Sequence, residues 1–128
     1  MRIREEAEAV EQIFRLIRVG KLVWVSSIAL LAEVGRDPDL QRRGDMEALL
    51  SMATETIQLT PSVAERSVAF ELAGYGAFDA LHLSFAEAGQ VDVLLTTDDR
   101  FANRAGRGAA SPRVLVLNPV KWLKGMVL

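Results

Sequence analysis

Residues 78–101 read FDALHLSFAEAGQVDVLLTTDDRF, and this stretch carries the pattern that decides the fold. Its first half has helical spacing and stops at Gly89, and its second half is an apolar run, VDVLLTT, that ends at two aspartates. A helix followed at once by a buried strand is one unit of an alternating α/β chain. We therefore predict that Asp98 and Asp99 lie just beyond the carboxyl end of a strand, where ligands bind in open parallel α/β sheets.

The rest of the chain repeats this alternation, which predicts an α/β fold: a three-layer sandwich with a mainly parallel sheet. Apolar spacing predicts an amphipathic helix over residues 3–18 that stops at Gly20. Serine and proline chemistry predicts two further helix starts. The remaining predicted elements are a strand at Leu22–Ser26, a helix over 28–34 capped by Ser26 or Ser27, a helix over about 44–54, a strand in IQLT, a helix from Pro61 to Gly74 with a Ser62–Glu65 capping box, a strand in RVLVLNP and a tail helix around Trp122.

Length and composition set outer limits on function. The chain has 128 residues, of which half are apolar, which suits one domain spanning residues 1–128. The absence of cysteine excludes disulfides, thiolate metal sites and a cysteine nucleophile. A net charge of -2 argues against a strongly basic coat for nucleic acid. The charged N-terminus and the lack of a long apolar run predict a cytoplasmic protein.

Three carboxylates stand at positions where their surroundings demand a partner. Glu33 is the only polar residue of an apolar helix and is predicted to be buried, with a salt bridge to an arginine as the plain alternative. Asp79 lies in the first turn of its helix, where a dipole or capping role is the alternative. For Asp98 the alternative is a helix cap, and Glu87 is predicted to face solvent. Together Glu33, Asp79 and Asp98 predict a site for a hard divalent cation.

The quoted stretch, with the later VLNP and VKWL and the earlier LVWVSSIALLAEV, resembles PIN-domain proteins, the fold shared by toxin ribonucleases of the VapC type and related nucleases. The resemblance covers nearly the whole chain. It implies hydrolysis of single-stranded RNA with Mg²⁺ or Mn²⁺, and an antitoxin protein as a possible partner. The residues it implies are Glu33, Asp79 and Asp98 as catalytic metal ligands, Asp99 as an auxiliary ligand, and Thr96 or Thr97 to orient a metal-bound water.

The sequence departs from the family at its beginning. No residue matches the aspartate that ends the first strand of PIN domains, and the first helix opens at MRIREE, with Arg2 and Arg4 where the helix dipole disfavours positive charge. We therefore expect a late start assignment or a true truncation. A truncated fold would pair its remaining strands directly or borrow an edge from a second copy, which favours a homodimer.

Several neighbouring side chains have a functional and a plain interpretation. Arg100, Arg104, Arg107 and Arg113 suit phosphate but also suit a solvated surface. The predicted substrate contacts are Thr96, Thr97, Arg100 and Arg104.

Other side chains near the acids are expected to be structural. His82, one turn beyond Asp79, is predicted to be structural, not a general base. Phe78 and Phe85 are predicted to be core residues.

Two other classes of function compete with the nuclease hypothesis. One is a degenerate, non-catalytic PIN-like module that binds RNA or a protein. The other is a phospho-acceptor domain, which also places aspartates at strand ends but needs a lysine that the site lacks.

Overall fold

The computed structural model describes residues 2–126, and the chain alternates helices and strands as predicted. No helix in this range is long and apolar enough to cross a membrane. The elements are α1 (Arg2–Arg18), β1 (Val25–Ser27), α2 (Ile28–Gly35), α3 (Leu40–Leu50), β2 (Glu55–Ile57), α4 (Pro61–Leu72), α5 (Ala77–Ala88), β3 (Val93–Leu95), α6 (Asp99–Gly106), β4 (Leu115–Leu117) and α7 (Pro119–Gly125).

The strands are parallel, which confirms the predicted α/β class, but they do not form one sheet. β1 pairs with β2 with Val25 opposite Glu55, and β3 pairs with β4 with Val93 opposite Leu115. Between Arg2 and Met126 these are two separate two-stranded sheets. The strands of the described residues thus pair directly, but within two small sheets instead of one continuous sheet. Each strand keeps one edge without a ladder partner in its sheet.

The first strand begins later than its apolar run suggests. The N–H groups of Lys21 and Leu22 donate to the carbonyl of Leu16, at 2.9 and 3.4 Å, and so close the end of α1. Gly20 lies within this turn at a φ of 78°, a left-handed conformation that glycine adopts without strain. Leu22 is thereby tied to the helix, and pairing starts only at Val25.

The predicted third helix and the strand after it both lie closer to the N-terminus than expected. Asp39 caps α3 by accepting from the N–H of Arg42 at 3.1 Å, so the helix starts several residues before Gly44. The following strand starts at Glu55 instead of within IQLT. Asp39 ends the turn-forming sequence GRDPD at residues 35–39, and its capping role explains the displaced helix start.

The start of α2 follows the predicted serine cap, whereas the start of α4 confirms only the predicted proline. Ser27 Oγ accepts from the N–H of Leu30 at 3.2 Å and begins α2. At α4 the cap is Thr60, which accepts from the N–H of Val63 at 3.2 Å, with Pro61 in the first turn. The Ser62–Glu65 capping box is therefore wrong, because Thr60 already satisfies the free N–H group.

The main core lies between α4, α5, α6 and β4. Phe70, Tyr75 and Phe101 stack edge to face, with ring centroids 5.3 Å apart in the first pair and 6.0 Å in the second. The Tyr75 hydroxyl donates to the carbonyl of Ala109 at 2.9 Å, so this buried ring has its polar end satisfied. Phe101 is in the first turn of α6, and its burial fixes the start of that helix against the core.

Helix α5 contacts both sheets. A Cβ at Gly89, just after the helix, would lie 3.3 Å from the side chains of Ile57 and Val25, which shows how closely this end approaches the first sheet. The same helix packs against β3 of the second sheet and against α2. The carboxyl-end segments that follow β1 and β3 are thereby held beside α5.

Glu87, predicted to face solvent, is instead a buried ion-pair partner. Its side chain is only 4% exposed and accepts from Arg66 Nε at 2.8 Å and from the N–H of Arg113 at 2.7 Å. Burial opposes ionisation of this carboxylate, but hydrogen bonds from Arg66 and Arg113 outweigh it and hold its pKa below the ordinary 4.5. The pair joins α4, α5 and the segment before β4.

We predict that Glu87→Ala lowers the free energy of unfolding by about 2 kcal/mol, because Arg66 loses its charged partner in a largely buried setting. Urea unfolding at neutral pH measures the change. The control is Glu47→Ala, which removes an exposed i,i+4 pair with Arg43 and should cost well under about 1 kcal/mol. Equal effects for the two variants would contradict the role assigned to Glu87.

Candidate functional site

Asp98 stands at the corner between β3 and α6 and caps the helix. Its Oδ1 accepts from the N–H groups of Arg100 and Phe101, at 2.9 and 3.3 Å. Its own N–H donates to Thr96 Oγ1 at 3.0 Å, so the corner is fixed on both sides of the carboxylate. The capping alternative is thus confirmed. Both capping bonds use Oδ1, and the cap leaves Oδ2 uncommitted.

Asp79 lies in the first turn of α5, as predicted, and is half-buried. The N-cap residue, Gly76, offers no side-chain cap, so the helix start is open to the field of this carboxylate. Burial raises the pKa of Asp79, and the charge of Asp98 raises it further. Glu33 acts in the same direction, while His82 and Arg104 oppose it. The pKa of Asp79 is therefore affected by charged groups from several separate elements.

Glu33 comes to this place from α2, but not as a buried group. Its side chain is 53% exposed, so the prediction of burial is wrong. Its Oε2 lies 3.1 Å from Nε2 of His82, so the partner is the histidine of α5 instead of an arginine. Helix α2 is only two turns long and its buried side is narrow: Val34 is buried, whereas Ala29 and Leu30, whose positions flank that of Glu33 around the helix, are half-buried. The helix is too peripheral to bury every side.

Three carboxylates from separate segments therefore influence one another near the start of α5: Glu33 from α2, Asp79 from α5 and Asp98 from the β3–α6 corner. Their carboxylate oxygens and their like charge suit a hard divalent cation such as Mg²⁺ or Mn²⁺ in chemistry. As placed, no three acidic or histidine side chains within residues 2–126 form a group that could hold an ion. The three side chains offer oxygen atoms of the kind that bind a metal, but as placed they do not form an ion-binding group.

Asp99 lies apart from this cluster. Both of its carboxylate oxygens accept from the guanidinium of Arg2, at 2.6 and 2.7 Å, and this bond lowers the pKa of Asp99 below its ordinary value. Arg2 also contacts the carbonyl of Thr97 and the carboxylate of Glu6, so the first turn of α1 is tied to the end of β3. The predicted auxiliary metal role of Asp99 stays a prediction.

The arginines that follow β3 divide between two places. Arg104 donates to the carbonyl of Gly74 and lies close enough to Asp79 to lower its pKa, so it borders the acidic cluster. Arg100 is exposed beside the Asp98 cap. Arg113 lies with Glu87 at the other end of α5, 3.9 Å from its carboxylate, and so does not join them. Of the predicted substrate contacts, Arg104 therefore lies near Asp79, and Arg100 contacts Asp98 through its backbone N–H.

The exposure of Phe78 differs from the prediction made from its helical spacing. Helical spacing predicted it in the core, whereas it is 59% exposed in the first turn of α5, directly before Asp79. Phe85 is buried as predicted. The first turn of a helix projects beyond the elements that cover its middle, and this end effect explains why the same periodicity succeeds at Phe85 and fails at Phe78.

A model of the PIN domain family matches residues 2–107 of this chain. The match covers most of the chain and includes all three carboxylates of the cluster. The protein therefore belongs to the PIN domain family, and membership indicates a nuclease-like function in general terms. No curated protein and no solved structure matches the chain.

We predict that Asp79→Asn makes the protein more stable at neutral pH. Because the pKa of Asp79 is raised above its ordinary 3.8, the ionised carboxylate costs more in the folded state than in the unfolded state. This penalty is complete above the folded-state pKa and disappears below the unfolded value. Urea unfolding should show a stabilised variant at about pH 7 and no difference from the parent at about pH 3.

The matched control is Asp92→Asn, at an exposed position after α5, which should leave stability unchanged. A destabilised Asp79→Asn protein at neutral pH would contradict the charge crowding described above.

Proposed function

We propose that this protein is a cytoplasmic, divalent-metal-dependent endoribonuclease that acts on single-stranded RNA, with Glu33, Asp79 and Asp98 as its metal-binding and catalytic carboxylates. The observation that carries the proposal is the convergence of Asp98 and Glu33 on Asp79, which raises the pKa of that group. Membership of the PIN family supports the same chemistry. Like charges that destabilise a fold are retained where they serve a site.

The donor set supports Mg²⁺ or Mn²⁺, because all three groups offer carboxylate oxygens. When bound, such an ion supplies Lewis-acid chemistry, lowering the pKa of a water and neutralising charge on a phosphodiester. Asp98 is fixed by its cap with Oδ2 left over, and the turn at Thr96 holds that carboxylate in place. Because the side chains do not yet form an ion-holding group, binding has to draw them closer together.

Substrate contacts follow from the groups around the cluster. We propose that Arg104, which lies near Asp79, and Arg100, which follows Asp98, bind phosphate oxygens, since a guanidinium presents several donors in one plane. Thr96 and Thr97, at the end of β3, complete this proposed surface. An exposed aromatic ring, Phe78, stands beside Asp79 and offers a face on which a base can stack. Unstacked bases are available in single strands and not in duplexes, which favours single-stranded RNA.

We also propose that the protein forms a homodimer and that, as the toxin of a toxin–antitoxin pair, it binds an antitoxin protein. The unpaired edges of both two-stranded sheets support association through β-pairing.

A second candidate function is a non-catalytic PIN-like module that binds RNA or a protein. The observation that favours it is that several predicted ligands already have partners: Glu33 has His82, Asp99 has Arg2, and Asp98 caps α6. Such a module would bind Mn²⁺ weakly and would leave RNA intact.

We predict that Asp98→Asn abolishes Mn²⁺-dependent cleavage of single-stranded RNA, lowering the rate by about a hundredfold or more. Asparagine caps a helix about as well as aspartate, so α6 should stay intact while the charge is lost. Cleavage of an end-labelled single strand, with Mn²⁺ or with EDTA, measures the effect. Asp92→Asn is the control and should cleave like the parent. Cleavage in EDTA, or by Asp98→Asn at the parent rate, would exclude the proposed site.

We predict that Phe78→Ala weakens binding of single-stranded RNA by about fivefold or more, because stacking on an aromatic ring contributes roughly 1–3 kcal/mol per base. Fluorescence anisotropy in the Asp98→Asn background measures affinity without cleavage. Phe78→Trp should bind at least as well as the parent. Leu72→Ala removes an apolar side chain that is 85% exposed at the end of α4, and should not change affinity. Equal losses from Leu72→Ala and Phe78→Ala would indicate a nonspecific effect.

A further inference from the structure

The basic residues of this chain are unevenly distributed along the sequence. From Arg100 to Leu128 there are six lysines and arginines and no aspartate or glutamate, although the chain as a whole has a net charge of -2. Such an asymmetry of charge within one chain suggests an anionic partner such as nucleic acid. The positive charge that the protein offers to an anion is therefore concentrated in the segment that follows Asp99.

The arginines also differ in whether a carboxylate compensates their charge. Among residues 2–126, ion pairs with aspartate or glutamate are formed by Arg2, Arg4, Arg42, Arg43, Arg66 and Arg113. Arg100, Arg104 and Arg107 form none within this range, and all three belong to α6 or to its C-cap. Helix α6 therefore carries positive charge that no carboxylate of the described chain compensates.

Arg100, Arg104 and Arg107 share one side of the helix, which we call the arginine face. They are spaced by four and three residues, so their side chains follow one another over about 10 Å of the helix axis. Arg100 and Arg107 are exposed, and Arg104 is half-buried. Phe101 and Ala105 pack into the core from another side of the same helix. The arginine face is therefore turned away from the core.

Helix stability alone does not explain this spacing. Like charges four residues apart repel each other, and Arg100 lies in the first turn, where the helix dipole disfavours a positive charge. Helix α1 also begins with arginines, but Arg2 and Arg4 are each followed four residues later by a glutamate with which they pair. In α6 the residue four positions after Arg100 is Arg104. A bound polyanion would relieve the repulsion that this spacing produces.

The arginine face begins at the acidic cluster. The N–H of Arg100 donates to Asp98 Oδ1 at 2.9 Å, so the first arginine follows that carboxylate directly. Arg104 lies close enough to Asp79 to lower its pKa. Arg107 is one turn further on, at the C-cap. The row of arginines thus leads away from the carboxylates along α6.

We propose that the arginine face binds the phosphate backbone of single-stranded RNA, and that Arg107 extends this contact beyond the residues of the proposed function. The inference rests on the proposed function and deepens it by giving the strand a path along α6. A guanidinium binds phosphate oxygens through several donors, and a row of such groups suits a repeating anion better than a single small one. Proteins that bind single strands combine a basic track of this kind with an aromatic stacking surface, for which Phe78 is the proposed counterpart.

The test is the salt dependence of RNA binding, measured by fluorescence anisotropy with a labelled oligouridine in the Asp98→Asn background. Each phosphate contact on a single strand contributes about 0.7 to the slope of log affinity against log salt concentration, taken from about 50 to 200 mM. Arg107→Gln should reduce the magnitude of this slope by about 0.7, and the double variant Arg100→Gln/Arg107→Gln by about 1.4. Both variants spare Arg104, whose bond to Gly74 holds the turn between α4 and α5, and thermal melting verifies folding.

Arg15→Gln is the matched control. Arg15 is also exposed and also lacks a carboxylate partner among residues 2–126, but it lies in the last turn of α1. Its replacement changes the net charge by the same amount and should leave the slope unchanged. Phe78→Ala should lower affinity at every salt concentration without changing the slope, because stacking releases no counterions. Polyglutamate offers no bases to stack and should compete about tenfold more weakly than RNA or worse.

The outcomes separate this inference from the function on which it rests. If the Asp98→Asn protein binds RNA and Arg107→Gln keeps its slope, or Arg15→Gln lowers the slope equally, the arginine face is overturned while Mn²⁺-dependent cleavage by the parent can stand. Competition by polyglutamate as strong as that by RNA overturns the assignment to RNA. If the arginine variants lower the slope but the parent cleaves no RNA, the track stands and the nuclease function is overturned. A protein that binds no RNA overturns both, and a lowered slope together with cleavage supports both.

Discussion

The packing of α5 against α2 and β3 is the constraint on which the candidate site depends. Neither sheet is large enough to present an active surface alone, since each consists of two three-residue strands. Contact with one common helix places the segments that follow β1 and β3 at the same end of that helix. The carboxylates of Glu33 and Asp98 come from these two segments, and Asp79 comes from the helix itself. A single packing relation thus gathers groups that are far apart in sequence.

The acids of this protein differ in how their charge is compensated. The difference distinguishes acids that stabilise the fold from the acids of the candidate site. The charge of buried Glu87 is compensated by Arg66 and by a backbone N–H, and the charge of Asp99 is compensated by Arg2. Both have a lowered pKa. Asp79 is half-buried, and its pKa is raised because burial and the charge of Asp98 outweigh the opposing charges of His82 and Arg104. The fold neutralises the charge of Glu87 but leaves the pKa of Asp79 raised. A cationic ligand would therefore stabilise the protein most beside Asp79.

The amino-acid sequence predicts much of this arrangement, because its strongest signals are local. The α/β class, the parallel pairing, Ser27 as a cap and the placement of Asp98 beyond a strand all follow from periodicity and from capping chemistry. The positions of Glu33 and Asp79 near Asp98 required the family resemblance as well. The short range of these signals is also why they fail at element ends: Leu22 belongs to the closing turn of α1, and Phe78 projects from the first turn of α5.

The errors share a physical origin in tertiary contacts that no local pattern records. Glu87 looked solvent-facing because its helical position is polar, yet an arginine from α4 and a peptide N–H near β4 make that position a buried one. An arginine was the alternative partner predicted for Glu33, and a histidine from α5 contacts it instead. The separation of the strands into two sheets is likewise a property of strand length and packing. Each of these facts depends on residues that are distant in sequence and adjacent in space.

The division into two sheets also bears on how the molecule opens. Each parallel pair is closed by the helices that lie between its own strands, so β1 and β2 form one local unit and β3 and β4 another. Units of this kind can exchange their amide hydrogens in separate cooperative steps, with free energies below that of global unfolding. Helix α5 lies between the two units along the chain and contacts both of them, through α2 in the first and β3 in the second. Opening of the first unit alone would therefore carry Glu33 away from Asp79 and Asp98 while the core around Phe70 stayed protected.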